Sequence, residues 1–257
     1  LEETARMAVD LANGDPIKDN YCDPIDYEVS RPLAADKTVK GLYSGGSLAA
    51  EAGMLIAEAL NLGGLIKEEG YILKTGGYEV VDLGDDVYTQ GKPHPMIDPE
   101  VRIKKILECA KDPQTGVILL DCMLGYGCHP DMAGALAPAI REAQEIAKAD
   151  GRELYFVASV CGTRQDPQDY DRAVAELKEC GVLVEESNAR AIRLALKLKG
   201  IDYKENTRGH VEAAVDETPL PEPDEKIMEL LNTKPRVINV GVRSFNDSIV
   251  AYNGTSV

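Results

Sequence analysis

The sequence predicts a doubly wound α/β domain on a mainly parallel sheet, and three observations carry that expectation. From Val39 onward, short apolar runs alternate with amphipathic helical stretches. Two of the runs, Gly116–Met123 (GVILLDCM) and Leu154–Val160 (LYFVASV), are almost wholly apolar, as strands covered on both faces must be. The stretches between runs are long enough for a helix to cross back over the sheet, the connection that parallel strands require.

Taken in order, the chain opens in a helical pattern over Leu1–Ala12, and an irregular arm through Tyr21-Cys22-Asp23-Pro24 follows. Val39–Ser44 is the first strand. A helix from Ser47 to about Asn61 places Leu48, Ala52, Leu55, Ile56 and Ala59 on one face. Tyr78–Leu83 is the second strand, and Asp98-Pro99 opens the next helix as an N-cap followed by a first-turn proline. Ile103, Ile106, Leu107 and Ala110 form its inner face. After the third strand, Gly116–Met123, a helix over Asp131–Ala149 buries Leu136, Ile140, Ala143 and Ile146. The fourth strand, Leu154–Val160, leads to a helix over Asp169–Cys180 that stops at Gly181. Val182–Glu185 is a short strand, and Asn188 caps a helix to Lys199. These β–α units imply a flavodoxin-like, doubly wound order. Residues 1–38 read as a helix and arm, 39–200 as the α/β domain, and 201–257 as an excursion with a C-terminal helix and strand. In that last part Ile201–Pro223 is charged and proline-rich, Glu225–Leu231 is helical, and Val237–Val242 is a strand. The abrupt helical start reads as a segment of a longer polypeptide.

Composition narrows the function. Hydrophobic residues are 44% of the 257, with no Trp and two Phe, so the core is aliphatic. A formal charge of −16 repels nucleic-acid backbones and anionic lipid, so neither is an expected partner. It also requires that a small anionic substrate be captured by local donors. Six cysteines without a CxxC pair indicate reduced thiols and a cytoplasmic protein. No apolar run approaches a membrane span.

In an open parallel sheet, ligands bind beyond the carboxyl ends of the strands, so the residues after each strand are the informative ones. After the first comes Ser44-Gly45-Gly46-Ser47. Two glycines admit a ligand close to the backbone, and the amides opening the next helix point outward with the positive end of its dipole. This is either an oxyanion cradle or a tight turn with Ser47 as N-cap. It lacks the lysine of a nucleotide P-loop. After the third strand, Gly125-Tyr126-Gly127-Cys128-His129-Pro130-Asp131 offers close backbone approach, a phenol and an imidazole able to exchange protons near neutrality. Otherwise His129-Pro130-Asp131 is only a helix start. Cys128 has no activating partner nearby in sequence. After the fourth strand, Gly162-Thr163-Arg164 suits an anion, unless Arg164 is simply solvated. The second loop supplies Asp85 and Asp86, then His94 held between prolines. Two carboxylates make a poor metal site, and no metal is expected. His210 lies in the charged excursion and reads as surface. One loop tyrosine is too little for a flavin platform.

The segments VKGLYSGGSLAAEA, DLGDD, PHPMIDP, VILLDCMLGYGCHPD, FVASVCGT and VINVG, in that order, resemble FdrA-type proteins. Those are acyl-CoA synthetase relatives sharing the ligase-domain architecture of the succinyl-CoA ligase α chain. The resemblance covers nearly the whole chain from Val39. It implies an upstream Rossmann-like domain through which CoA would bind, other subunits, and an oligomer. It also implies that the Ser44–Ser47 turn receives a phosphate. Succinyl-CoA ligases carry phosphoryl on a histidine after the fourth strand, whereas Gly162–Asp169 here has none. FdrA-like proteins are associated with oxamate carbamoyltransferase in allantoin breakdown, and that chemistry needs an acyl-phosphate site without phosphohistidine. Three functions are therefore expected: a carbamoyl or acyl transferase subunit, an ATP- and CoA-dependent ligase borrowing a partner's histidine, or a non-catalytic assembly module. In the first, Ser44, Gly45, Gly46, Ser47 and Arg164 hold phosphate while His129 and Tyr126 serve the acceptor.

Overall fold

The computed structural model describes residues 1–65, 68–203, 221–234, 236–241 and 243–257. It forms two compact units, Leu1–Arg208 and Gly209–Val257. The first unit opens with α1 (Glu2–Asn13), β1 (Thr38–Tyr43) and α2 (Gly46–Ala59). Next come β2 (Tyr71–Thr75), β3 (Tyr78–Asp82), α3 (Asp86–Thr89) and α4 (Glu100–Lys111). It closes with β4 (Thr115–Met123), α5 (Met132–Ala149), β5 (Tyr155–Cys161), α6 (Tyr170–Glu179), β6 (Leu183–Glu185) and α7 (Asn188–Leu198).

Among the described residues these strands form one six-stranded sheet in the order β2-β3-β1-β4-β5-β6. All neighbours are parallel except β2, which pairs antiparallel with β3. Without that edge strand the order is second, first, third, fourth, fifth, the flavodoxin-like winding the sequence predicts. Strand β4 shows why both faces are covered. Its Ile118, Leu120 and Cys122 join a cluster with α4, α5 and α6, while Val117 and Leu119 join one with α2 and α7. Period-two alternation thus becomes an apolar run, because neither face meets water. Among the described residues no helix is long and apolar enough to cross a membrane.

Several local expectations change. The inner face of α2 is rotated toward Ala49, Ala52, Gly53, Ile56 and Ala57, leaving Leu48, Leu55 and Ala59 partly buried around it. A Cβ on Gly53 would stand 2.8 Å from Ile72 and 2.9 Å from Leu65, so close packing selects the small residues. Strand β2 was not foreseen, because its half-exposed YILKT lacks a continuous apolar run. The Gly76-Gly77 turn that joins it to β3, with Gly77 at φ +93°, is a hairpin signal readable in the sequence. Ser187, not Asn188, caps α7, accepting from the Arg190 amide. Asn188 instead reaches α2, donating to Leu48 O at 3.0 Å and Glu51 Oε2 at 2.8 Å.

The second unit holds α8 (Glu225–Asn232), β7 (Arg236–Val237), α9 (Arg243–Ala251) and β8 (Thr255–Ser256). The strand expected over Val237–Val242 is cut to a two-residue parallel pairing of β7 with β8, and α9 was not anticipated. Residues 204–220 of the charged excursion, with His210, Thr218 and Pro219, lie outside the described residues, as does Val242.

Ile118 is fully buried in the central strand. Ile118→Ala is expected to lower unfolding free energy by about 2–5 kcal/mol in urea titrations, through lost transfer energy and an unfilled cavity.

Candidate functional site

After β1 the chain turns onto one face of the sheet as α2, and after β4 it turns onto the other as α5. The carboxyl ends of β1 and β4 therefore flank the topological switch point, where an open α/β sheet has its ligand crevice. The Ser44–Ser47 turn sits there.

A buried ion pair fixes this turn. Asp121, in β4, is 1% exposed, and Arg102, in α4, is 0% exposed. Arg102 Nη2 donates to Asp121 Oδ1 at 2.8 Å and to the Asp121 and Leu42 carbonyls at 2.6 and 3.4 Å. The same carboxylate accepts the Ser44 amide at 3.0 and 3.1 Å and the Ser44 hydroxyl at 2.6 Å. Ser44 is thus a buried anchor facing inward, and both its donors are engaged. This corrects its expected part as an outward anion donor.

Beyond the anchor, Gly45 is the N-cap of α2 in an extended conformation and supplies no side-chain cap. Ser47 lies inside the first turn and is not the cap. Helices α5, α6 and α7 differ, because Asp131, Asp169 and Ser187 accept the amides of Gly134, Arg172 and Arg190. Among the described residues no side chain caps the first turn of α2, and unbonded amides at a helix start are the electropositive geometry that oxyanions use.

The neighbouring loops bring further groups. Asp82 closes β3, and its Oδ2 lies 2.9 Å from where a Cβ on Gly46 would stand. Burial raises its pKa first, the Gly84 amide at 2.9 Å opposes that, Asp85 and Asp121 add to the rise, and His94 opposes it. A Cβ on Gly84 would meet His94 Nε2 at 2.7 Å, Ser44 O at 2.9 Å and Asp82 Oδ1 at 3.1 Å, so His94 converges on this corner. Asp85 caps α3 through the Val87 amide, and Asp86 starts that helix. Among the described residues no group of three or more His, Cys, Asp or Glu is placed to hold a metal ion.

The two His-Pro loops share one device. His94 Nδ1 accepts the Met96 amide at 3.3 Å, and His129 Nδ1 accepts the Asp131 amide at 3.0 Å. In each neutral ring the proton is thereby assigned to Nε2. The His129 amide donates to Met96 O at 2.7 Å, joining the loops. Gln168 holds Gly125 from both sides: its Oε1 accepts the Gly125 amide at 2.8 Å and its Nε2 donates to Gly125 O at 2.9 Å. Gly125 and Gly127 adopt φ +128° and +83°, and Tyr126 between them is 83% exposed. Burial, with Asp166 and Asp121 nearby, raises the Cys128 thiol pKa, which disfavours a nucleophilic thiolate.

The loop after β5 turns on itself. The Thr163 amide donates to Asp166 at 2.6 Å, and Arg164 forks onto Asp171 at 2.9 and 2.8 Å while 74% exposed. Gly162 serves packing, since a Cβ there would meet Leu124 at 2.6 Å. Arg164 is therefore held against the start of α6, the helix that follows its loop.

Residues 42–198 match the model of the CoA-ligase family. The chain belongs to that family. An uncharacterized Escherichia coli K12 protein, YahF, is 35% identical over a 184-residue alignment that covers 66% of this chain and 36% of YahF. The chain thus spans about a third of the length of this curated relative. Among solved structures, Pyrococcus horikoshii OT3 PH0766 aligns at 15% identity and TM-score 0.36, over 66% of this chain and 38% of its own. An ATP citrate lyase from Methanothrix soehngenii, in complex with citrate and coenzyme A, aligns at 19% identity and TM-score 0.39, over 80% and 30%.

In this CoA-ligase domain the sequence reading missed Arg102, Asp121, Asp82 and Gln168. Two signals were present. Asp121 is the one charged residue in an otherwise apolar strand. Arg102 falls one helical turn before Ile106, on the buried stripe of α4.

Asp121→Leu leaves Arg102 as a buried cation without its carboxylate and is expected to cost about 3–5 kcal/mol in urea unfolding. Adding Arg102→Met should return about 1 kcal/mol or more, because the two sites couple directly. Additive losses would deny the coupling.

Proposed function

We propose that this chain is the acyl-phosphate-binding part of an FdrA-type acyl- or carbamoyl-transfer enzyme. The observation that carries the reading is the uncapped first turn of α2, anchored through Ser44 at the switch point. Membership of the CoA-ligase family supports acyl chemistry of this kind. The chain from Gly162 to Asp169, after β5, contains no histidine, which favours direct handling of an acyl phosphate over phosphoryl carriage on this chain.

In this reading the Gly46 and Ser47 amides hold the phosphoryl oxygens. Fixed amide dipoles stabilise the charge that collects on those oxygens as the acyl–oxygen bond breaks and phosphate leaves. His94 and His129 present Nε2 toward the acceptor, and Tyr126 stands at the rim. Arg164, paired with Asp171, has no assigned role. Carbamoyl phosphate with oxamate, giving oxalurate and phosphate, is the substrate pair the reading favours. CoA would enter through a further domain, and the working enzyme would be a cytoplasmic multi-subunit oligomer. An ATP- and CoA-dependent ligase is the second reading, favoured by the family itself.

Carbamoyl phosphate is expected to raise the melting temperature of this chain, and Gly46→Val, which sets a side chain against Asp82, to abolish the rise. In the complete complex, carbamoyl phosphate and oxamate should react without ATP or CoA. A strict requirement for both would favour the ligase.

A further inference from the structure

The second unit carries two apolar surfaces that leave each other bare. In its β7–α9–β8 arrangement the extended chain runs on past β7, because the Asn239 amide donates to Val257 O at 2.9 Å and the Val257 amide donates to Val237 O at 3.0 Å. Helix α9 packs against β8. Along the strands exposure alternates. Val237, Asn239 and Ser256 are half-buried, whereas Ile238 is 82% exposed, Val240 93% and Val257 86%. Apolar side chains on both sides of a parallel strand mark one that is covered twice, yet here one side meets water. A two-stranded ladder also has little stability of its own.

Helix α8 is the counterpart. Its Ile227, Met228, Leu230 and Leu231 recur at helical spacing on one side, and all four are exposed. A helix of eight residues is marginal in water unless such a side is packed. Helix on sheet is the packing these two surfaces fit. Their charges match as well. Around α8, Asp224, Glu225 and Glu229 outnumber Lys226. Arg236 lies on the same exposed side as Ile238 and Val240, and residues 236–257 carry two arginines against the single carboxylate of Asp247. In a chain of net charge −16, this stretch thus draws an acidic, apolar helix and does not repel it.

We infer that this surface is an interface between two copies of the chain, with α8 of each copy laid on the Ile238, Val240 and Val257 face of the other. Residues 233–235 alone join α8 to β7, a length with which a helix commonly turns back onto its sheet, yet both surfaces stay exposed. Exchange between two copies makes that contact twice about a two-fold axis and covers both surfaces of both copies. Arg236 of one copy then faces the carboxylates that flank α8 of its partner.

Sedimentation equilibrium of the 257-residue chain tests this. Across a concentration series into the high micromolar range, the mass should rise from 27.8 kDa to twice that value. Leu230→Lys and Ile238→Lys should each hold it at 27.8 kDa, and with both positions exposed the circular dichroism spectrum should stay unchanged. An equimolar mixture of the two variants should associate again, because one supplies an intact α8 and the other an intact sheet face. Arg236→Glu should weaken the dimer roughly tenfold. A wild-type chain that stays at 27.8 kDa would overturn the inference, whether α8 then covers its own sheet face or another protein does. A dimer that both variants retain would overturn it too, and a mixture that associates no better than either variant alone would exclude the exchange of α8.

Discussion

One buried ion pair sets the geometry on which everything else at the carboxyl edge depends. Arg102 and Asp121 come from the crossover helix α4 and from β4, the strand it leads into, and both are taken fully out of water. Such a pair is a weak source of stability, because desolvation offsets much of the attraction. Its consequence is positional. Asp121 accepts both the amide and the hydroxyl of Ser44, so the chain leaves β1 in one fixed direction and α2 starts at the switch point without a side-chain cap. A hydrophobic pair of equal volume would fill the same space without specifying that direction.

Around this anchor, the loops are tied to one another and not to the ligand side. Gln168 grips Gly125 and the His129 amide grips Met96, while Asp166 grips Thr163 within its own loop. Side chains in these loops therefore meet the crevice from rigid backbone, which is how a site limits the entropy lost on binding. The chain carries a strong negative charge overall, so the amides that open α2 must outweigh the global field if an anion is to bind there.

The fold was largely legible because its signals are local. Apolar runs such as GVILLDCM announce doubly covered strands, and Gly181 announces a helix end. The antiparallel edge strand Tyr71–Thr75 escaped because it is half-exposed and carries Lys74, although its Gly76-Gly77 turn was in plain view. The site was legible only in outline. Gly45 and Gly46 mark the turn, but the inward orientation of Ser44 depends on Asp121, far away in sequence and joined to it only by the parallel pairing of β1 with β4. Arg164 misled for the same reason in reverse, since its partner Asp171 lies in the first turn of the next helix and takes up its fork.

The central claim is that the opening amides of α2 bind an oxyanion. Amide nitrogen NMR spectra recorded while carbamoyl phosphate is titrated into the protein read those groups directly. The Gly46 and Ser47 signals should shift together, saturate with a single affinity, and do so more than any others in the domain. Signals at Gly46 and Ser47 that stay in place while residues elsewhere respond would contradict it.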